Sequence, residues 1–269
     1  MSVFVLCSAA GSPGVTTTAL GLAMTWPRPV LLVEADPTGG SALLAGHFRG
    51  QVQPTASLVD LALELHPSGL DDAIPAVAMN VPGSRVSIVA GTRAHRQARA
   101  LTSLWEPLAS SLGRMDALGQ DVIVDAGRLG LAGSPEPLLA AADGCLLVLR
   151  TDLVALAAAR SWCSTLAGQF EARGDARALS LMAVGEGRPY SAREIANVLE
   201  HPVTASVAWD EKAAAVFSRG EPRPSRFETS GYVRSLQRAG ESLRASAARA
   251  KDDLTGQAAS AGALTRSRA

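Results

Sequence analysis

A short glycine-bearing loop near the start of the chain has the residue types of a phosphate-binding turn. It follows the apolar run Val3–Ser8, contains Gly11 and Gly14, and leads through three consecutive threonines into the helical run Ala19–Ala23. A strand, a tight turn and a helix N-terminus together aim backbone N–H groups and a helix dipole at one point, which suits a phosphate. Thr16 stands where such loops carry a hydroxyl that binds Mg²⁺.

The loop also departs from the usual phosphate-loop pattern GxxxxGK[ST] at two places. Taken alone, it is equally compatible with a plain strand-to-helix turn whose first helical residues are capped by threonines. Two carboxylates elsewhere are similarly ambiguous. Asp36 follows one apolar run and Asp125 ends another, but a carboxylate at the end of a strand often only caps a helix or a turn.

The elements that must position these residues follow an α/β pattern. Short apolar runs alternate with longer helical patterns, which is typical of a mostly parallel sheet covered by helices on both faces. The predicted strands are Val3–Ser8, Val30–Ala35, Val86–Ala90, Asp121–Asp125, Gly144–Arg150, Leu179–Val184 and Val203–Val207. The predicted helices run over about 16–25, 57–65, 94–112, 135–142, 154–173, 192–199, 211–218 and 231–250.

This pattern predicts one three-layer αβα domain with about seven strands over residues 1–250. The remaining residues, 251–269, are rich in Ala, Ser, Gly and Arg, and we expect them to form a disordered tail. Residues 231–250 place Tyr232, Leu236 and Leu243 on one stripe of the last predicted helix. Such a stripe usually packs on the sheet, and a membrane or DNA contact is the alternative.

Composition limits the classes of function. The 269 residues are 47% hydrophobic and 19% charged, with a formal net charge of zero, so no overall field attracts nucleic acid or an anionic membrane. No basic leader precedes the first apolar run, and no apolar stretch approaches the ~20 residues of a membrane span. We therefore expect a cytoplasmic protein. Cys7, Cys145 and Cys163 are far apart and form no metal-binding pattern, which indicates reduced core thiols.

Five segments, in order, resemble the ParA/MinD family of deviant Walker A P-loop ATPases over about 240 residues. Ala10–Thr17 resembles the family's KGGVGKTT loop, and Val33–Gly40 is similar to its DxDPQGN segment. Asp121–Gly127 is similar to the Walker B strand and the switch that follows it. Leu147–Leu156 looks like the strand and helix start before the base-binding region, and Val207–Pro222 resembles the segment whose loop packs near the adenine.

The resemblance implies a P-loop NTPase fold that binds ATP or ADP with Mg²⁺. It assigns Asp36 to positioning the attacking water, and Thr16 and Asp125 to holding the metal. The residues expected to contact nucleotide are Gly11, Ser12, Gly14, Val15, Thr16, Thr17, Trp209 and Asp210.

The departures from the family pattern predict a defect in catalysis. Ala10 takes the place of the family's signature lysine and Val15 that of the Walker A lysine, and the first lysine of the chain is Lys212. Pro13 removes one backbone N–H from the loop. Positioned cations supply most of the catalysis of phosphoryl transfer, so their loss should cost on the order of several kcal/mol in the barrier. We expect hydrolysis to be absent or very slow and nucleotide binding to be weak.

One arginine offers a replacement for the missing charge. Arg128 follows Gly127 in the segment similar to the second switch, and an arginine can act in cis on the phosphates. The alternative is that Arg128 is a solvated loop residue.

Two functions follow from the resemblance. The first is a degenerate, dimeric family member that acts as a positioning or scaffold subunit of a larger assembly, of the pilus-localising CpaE/TadZ kind or a secretion machine. The alternative is an active ATP-dependent dimer switch for chromosome or plasmid partitioning that also binds DNA non-specifically. Arg219, Arg223 and Arg226 would belong to a DNA-binding face in the second case and to a solvated surface in the first.

Overall fold

The central sheet has eight strands in the described part of the chain. The computed structural model describes residues 2–64, 70–114, 119–173 and 178–266, with side chains up to residue 252. The strands are β1 (Val3–Ser8), β2 (Val30–Glu34), β3 (Met79–Asn80), β4 (Val86–Val89), β5 (Asp121–Arg128), β6 (Gly144–Arg150), β7 (Leu179–Val184) and β8 (Val203–Val207). Their order across the sheet is β3-β4-β2-β5-β1-β6-β7-β8. Only the pair β3 and β4 is antiparallel.

The predicted mostly parallel sheet is confirmed. All seven predicted strands are present, and β5 continues beyond Asp125 to Arg128. The sequence did not predict β3, which has two residues at the edge of the sheet, because such a short strand shows no periodicity.

Helices cover both faces of the sheet. They are α1 (Val15–Thr25), α2 (Leu58–Leu63), α3 (Ala73–Val77), α4 (Trp105–Arg114), α5 (Glu136–Ala140), α6 (Leu153–Glu171), α7 (Ala192–Leu199), α8 (Glu211–Ser218) and α9 (Gly231–Arg266). A π-helical turn at Leu43–His47 and 3₁₀ turns at His95–Leu101 and Phe227–Thr229 complete the described helical segments.

Three helix predictions need correction. The predicted helix 94–112 divides into a 3₁₀ turn and α4, and α3 and the π-helical turn were not predicted. The predicted helix 57–65 ends at Leu63, and residue 65 lies outside the described residues. The backbone of α9 is helical to Arg266, beyond the predicted end of this helix at residue 250, and the many alanines there favour helix. The division of the chain at residue 250, with a tail after it, stays a prediction.

Alternation along the strands divides the core into two layers. In β1, the side chains of Val3, Val5 and Cys7 point to the face covered by α2 to α7, and those of Phe4 and Leu6 point to the face covered by α1, α8 and α9. Strands that are buried on both faces read as continuous apolar runs, which explains why the sequence revealed them. The result is a three-layer αβα domain.

The last helix and the cysteines belong to this core. The predicted stripe of α9 is buried, with Tyr232, Leu236 and Leu243 at most 4% exposed. The stripe therefore packs on the sheet, as such stripes usually do, and is not exposed for a membrane or DNA contact. All three cysteines are free and buried.

Candidate functional site

The loop between β1 and α1 has the backbone of an anion-binding turn. Gly11, Ser12 and Gly14 have positive φ values of 76°, 46° and 98°, and Gly14 is the N-cap of α1. The backbone hydrogen bond of the first helical turn runs from the Thr18 N–H to the Gly14 carbonyl at 2.8 Å. The N–H groups of residues 15–17 therefore have no acceptor within the helix and remain available to a ligand.

The two positions that carry lysines in the family pattern hold small apolar side chains in this chain. Val15 is only 7% exposed and packs in the core layer under α1. Ala10 is half-buried at the end of β1. The loop therefore offers backbone N–H groups and hydroxyls to an anion, but no charge from its own side chains.

Three carboxylates meet beside the loop. Glu34 ends β2 and pairs in register with Asp125 of β5, while Asp36 follows two residues after Glu34. The Asp125 carboxylate is fully buried. Its Oδ1 accepts a hydrogen bond from the Gly127 N–H at 3.0 Å. Its Oδ2 has no hydrogen-bond partner among the described residues.

This clustering changes the protonation of Asp125. The pKa of Asp125 is raised to about 7: burial has the largest effect, the neighbouring charges of Asp36 and Glu34 also raise the pKa, and the nearby Thr16 hydroxyl and the Gly127 N–H lower it. A buried carboxylate with an unused oxygen is well suited to a cation or to the water bound to one, because either would satisfy that oxygen and favour the charged form.

Asp36 lies directly over the last residues of β5, at Gly127. Its Oδ1 accepts a hydrogen bond from the Thr38 N–H at 2.8 Å. Gly127 has a φ of 62°, and a β-carbon there would lie 2.2 Å from the carboxyl carbon of Asp36. Only glycine fits beneath this carboxylate. Thr16, Glu34 and Asp36 line a small cavity of about 30 Å³, so Glu34 joins Thr16 and Asp36, the two residues of this cavity to which the resemblance assigns a role.

Glu34 differs from Asp36 because its carboxylate oxygens are used in hydrogen bonds to the surrounding loops. Its carboxylate accepts hydrogen bonds from the Ser41 hydroxyl at 2.6 Å, the Gly91 N–H at 3.0 Å and the Leu43 N–H at 3.3 Å. It is 3% exposed. With its oxygens used in this way, Glu34 fixes the loop after β2 to the end of β4 and so holds Asp36 in place.

A larger cavity of about 420 Å³ opens on the other side of the start of α1. Pro13, Gly14, Thr17 and Thr18 line it from the loop and α1. The opposite wall comes from the ends of β6, β7 and β8, from the loop after β8 and from α8 and α9: Arg150, Val184, Val207, Ala208, Trp209, Asp210, Glu211, Ala214, Ser218, Arg219 and Tyr232. Its size is in the range of sites for small ligands.

Trp209 is the aromatic centre of this wall. The guanidinium of Arg150 lies 4.2 Å from the centre of the Trp209 ring, and that of Arg188 lies 5.7 Å from it. Asp210 caps α8 by accepting a hydrogen bond from the Ala213 N–H at 3.0 Å. Trp209 and Asp210 thus occupy the same cavity as Gly14 and Thr17, which were expected to contact the same ligand.

Other predicted residues lie outside these cavities. Gly11 and Ser12 are exposed at the tip of the loop, and Arg128 is exposed at the end of β5; none of them lines either cavity. Sequence reasoning missed Arg150 and Arg188. The available signal for Arg150 was its position at the carboxyl end of a parallel strand, where ligands bind in open α/β sheets.

Two of the three arginines that we considered for DNA binding are ion-paired. Arg219 contacts Glu221 at 2.8 Å and Arg223 contacts Glu228 at 2.6 Å. These pairs reduce the positive charge of that surface. Among the described residues, no helix is both long enough and apolar enough to cross a membrane.

Comparisons with known proteins identify the fold. No family model matches the chain, and no curated protein matches it. Solved structures do. MinD in the MinC:MinD cell division complex of Aquifex aeolicus superposes with a TM-score of 0.69 at 16% identity, covering 91% of this chain and 96% of that one.

Two further structures agree. A ParA family ATPase from Chlorobium tepidum has a TM-score of 0.68 at 15% identity and covers 89% of this chain and 98% of its own. The septum site-determining protein MinD of Pyrococcus horikoshii, complexed with Mg-ADP, has a TM-score of 0.67 at 16% identity and covers 90% and 95%. The chain therefore has the fold of the MinD and ParA P-loop ATPases, and the resemblance drawn from the sequence is confirmed at the level of the fold.

Proposed function

We propose that this chain is a nucleotide-binding protein of the MinD/ParA fold that hydrolyses ATP very slowly or not at all. In this proposal it acts as a positioning or scaffold subunit of a larger cytoplasmic assembly of the pilus or secretion type. The observation that carries the proposal is the side chain of Val15, which is 7% exposed and packed in the core where a catalytic lysine would extend over the phosphates.

The loss of that lysine affects catalysis more than binding. Phosphoryl transfer depends on cations placed against the charge that develops on the phosphate, so an uncharged loop should lose most of its catalytic power. Binding has other contributions, since the N–H groups at the start of α1 and the cavity beside it remain. A nucleotide held in this way would act as a structural ligand.

The residues beside the loop fit a magnesium ion. The Asp125 Oδ2 is buried without a partner among the described residues, and the Thr16 hydroxyl is close enough to influence its pKa. Thr16 and Asp125 would hold Mg²⁺, Asp125 through a bound water. When bound, the ion would neutralise part of the phosphate charge. The comparison structure of Pyrococcus horikoshii MinD contains Mg-ADP, which supports this ligand class for the fold.

We also propose that the protein forms a homodimer and binds other proteins of its assembly. The comparison structure from Aquifex aeolicus is a complex of MinD with MinC, so this fold can present a surface to a different protein. The alternative function, an ATP-dependent partitioning switch, is supported by Thr16, Asp36 and Asp125, which retain the residue types of an active site.

The phenotype of an Asp36→Ala allele separates these two functions. For a scaffold that works without hydrolysis, cells carrying Asp36→Ala should behave as wild type, while deletion of the gene produces its defect. For a switch, Asp36→Ala should reproduce the deletion. Equal melting temperatures of the two purified proteins would show that Asp36→Ala remains folded. A defect in folded Asp36→Ala protein would overturn the scaffold proposal.

A further inference from the structure

One arginine of the cavity beside the loop has no anionic partner in the described part of the chain. Arg150 is half-buried at the end of β6, and its interaction in the described part of the chain is with the ring of Trp209, 4.2 Å away. The other cavity-lining arginine, Arg219, already pairs with Glu221 at 2.8 Å. A half-buried guanidinium that lacks a carboxylate is an unsatisfied charge, and an anionic ligand would satisfy it.

The nearby carboxylates do not neutralise Arg150. Asp210 and Glu211 are the acidic residues in the wall of this cavity, and Asp152 lines an adjoining cavity of about 190 Å³ that shares Arg150 and Trp209 with it. Asp152 accepts the Ala155 N–H at 2.9 Å and Asp210 accepts the Ala213 N–H at 3.0 Å, so each caps a helix. Glu211 is exposed. None of the three forms an ion pair with Arg150 within the described residues.

Topology places Arg150 beside the phosphate-binding loop. Strand β6 is hydrogen-bonded directly to β1, with Leu147 opposite Cys7. Arg150 ends β6 beyond that pair and therefore lies at the edge of the sheet where the loop begins. Pro13, Gly14 and Thr17 share one cavity with Arg150, so a single ligand can contact both the start of α1 and the guanidinium.

We propose that Arg150, stacked on Trp209, is the cation that receives the phosphate of a nucleoside phosphate bound in this cavity, in place of the lysines missing at positions 10 and 15. This proposal deepens the proposed function and rests on it. The guanidinium presents a planar set of donors that matches two phosphate oxygens. The Trp209 ring holds that plane through a cation–π contact and offers an aromatic edge to a base.

The same geometry explains how binding and hydrolysis become separated. Thr17 and Arg150 line the large cavity, whereas Thr16, Glu34 and Asp36 line the small one. A phosphate held by Arg150 is drawn toward the first cavity and away from Asp36. The ligand is thus retained, while no arginine or lysine among the described residues lines the cavity of Asp36, the group expected to position water.

Calorimetric titration of the full chain tests the proposal. ADP, adenosine and inorganic pyrophosphate are titrated into wild type, Arg150→Met, Arg150→Lys and the control Arg193→Met, which alters an exposed arginine of α7 outside the cavity. We expect Arg150→Met to weaken ADP binding about tenfold or more, since one charge-assisted pair is lost. Adenosine affinity should be unchanged, Arg150→Lys should recover part of the ADP affinity, and Arg193→Met should bind as wild type.

Each other outcome decides against a specific claim. Equal ADP affinity in wild type and Arg150→Met overturns the role of Arg150 and leaves the proposed function standing. If ADP and adenosine weaken together, Arg150 shapes the cavity and does not receive phosphate. If pyrophosphate binds in a manner that depends on Arg150 and ADP does not bind, Arg150 is a phosphate-binding residue, but the claim that the ligand is a nucleoside phosphate is overturned. Failure of all three ligands to bind wild type overturns both proposals. Circular dichroism melting of each variant verifies that it is folded.

Discussion

Position 15 links the packing of the loop to its chemistry. A valine here contributes to the core layer under α1, whereas a lysine would have to leave that layer to reach a phosphate. The family pattern has an exposed lysine at this position, whereas this chain has a buried valine. The chain gains stability at this residue at the expense of phosphate contacts.

Restoring the lysine should reverse this exchange. We expect Val15→Lys to lower the free energy of unfolding by about 1–3 kcal/mol, because the burial of valine is lost, and to tighten ATP binding, because an ammonium group now meets the phosphates. Urea unfolding and ATP calorimetry measure the two effects. Val15→Met is the matched control, with similar length and no charge: it should bind ATP as wild type. A Val15→Lys protein that binds ATP no better than Val15→Met would contradict this interpretation.

Asp125 should make the stability of the protein depend on pH. Burial raises the pKa of Asp125 from an ordinary 3.8 to about 7 in the folded chain. Protonation therefore stabilises the folded state fully below about 3.8, and this contribution is lost as the pH rises through about 7. Within that window, the slope can reach about 1.4 kcal/mol per pH unit.

Asp125→Asn should remove this slope, since asparagine does not titrate. The measurement is urea unfolding of wild type and Asp125→Asn from pH 5 to pH 8 in buffer with a chelator. We expect wild type to lose stability relative to the variant as the pH rises. A difference between the two proteins that stays constant over this range would show that Asp125 titrates normally.

At the scale of elements, Asp121 connects three parts of the fold at the end of the sheet opposite the loop. It begins β5 and is 2% exposed. Its carboxylate accepts the Ser2 N–H at 3.0 Å and the Trp26 Nε1–H at 2.9 Å, and it lies 3.8 Å from Arg28 and 3.6 Å from Arg244. It thereby joins the start of β1, the end of α1 and α9.

Removal of this carboxylate should be costly. We expect Asp121→Ala to lower the free energy of unfolding by about 3 kcal/mol, because buried donors and two arginines lose their acceptor. The comparison is Asp71→Ala, which breaks an ion pair with Arg114 in which both side chains are 48% exposed. That change should cost much less, since water replaces the partner. Equal losses in urea unfolding would mean that the Asp121 network does not hold these elements together.

The elements that sequence reasoning predicted are those whose own residues define them. Strands such as β1 and β6 are buried on both faces along their middle residues, so the runs there are apolar, and a polar residue occurs only at the end of each strand. The stack of Arg150 on Trp209 was not predictable in this way, because it depends on β6 and the end of β8 meeting across β7. The role of Glu34 also depends on partners in other segments. The sequence showed which residue types stand at each position. Contacts between residues of different segments, in contrast, could be identified only from the folded structure.

At the scale of the whole molecule, the carboxylates that the resemblance assigns to catalysis are present, whereas the two lysines of the family pattern are replaced by Ala10 and Val15. Thr16 and Asp36 line the small cavity on one side of the start of α1, with Asp125 near Thr16. Arg150, which has no ion-pair partner among the described residues, lines the cavity on the other side. In the proposed function, this arrangement would retain a nucleotide without hydrolysing it. The proposed scaffold role depends on this separation.

The rate of phosphate release from Mg-ATP tests this account most directly. Wild type and Asp36→Ala are assayed side by side at high protein concentration, with Asp36→Ala as the blank for contaminating ATPases. We expect the two proteins to release phosphate at the same rate. Turnover by wild type that Asp36→Ala abolishes would contradict it and would favour the partitioning switch.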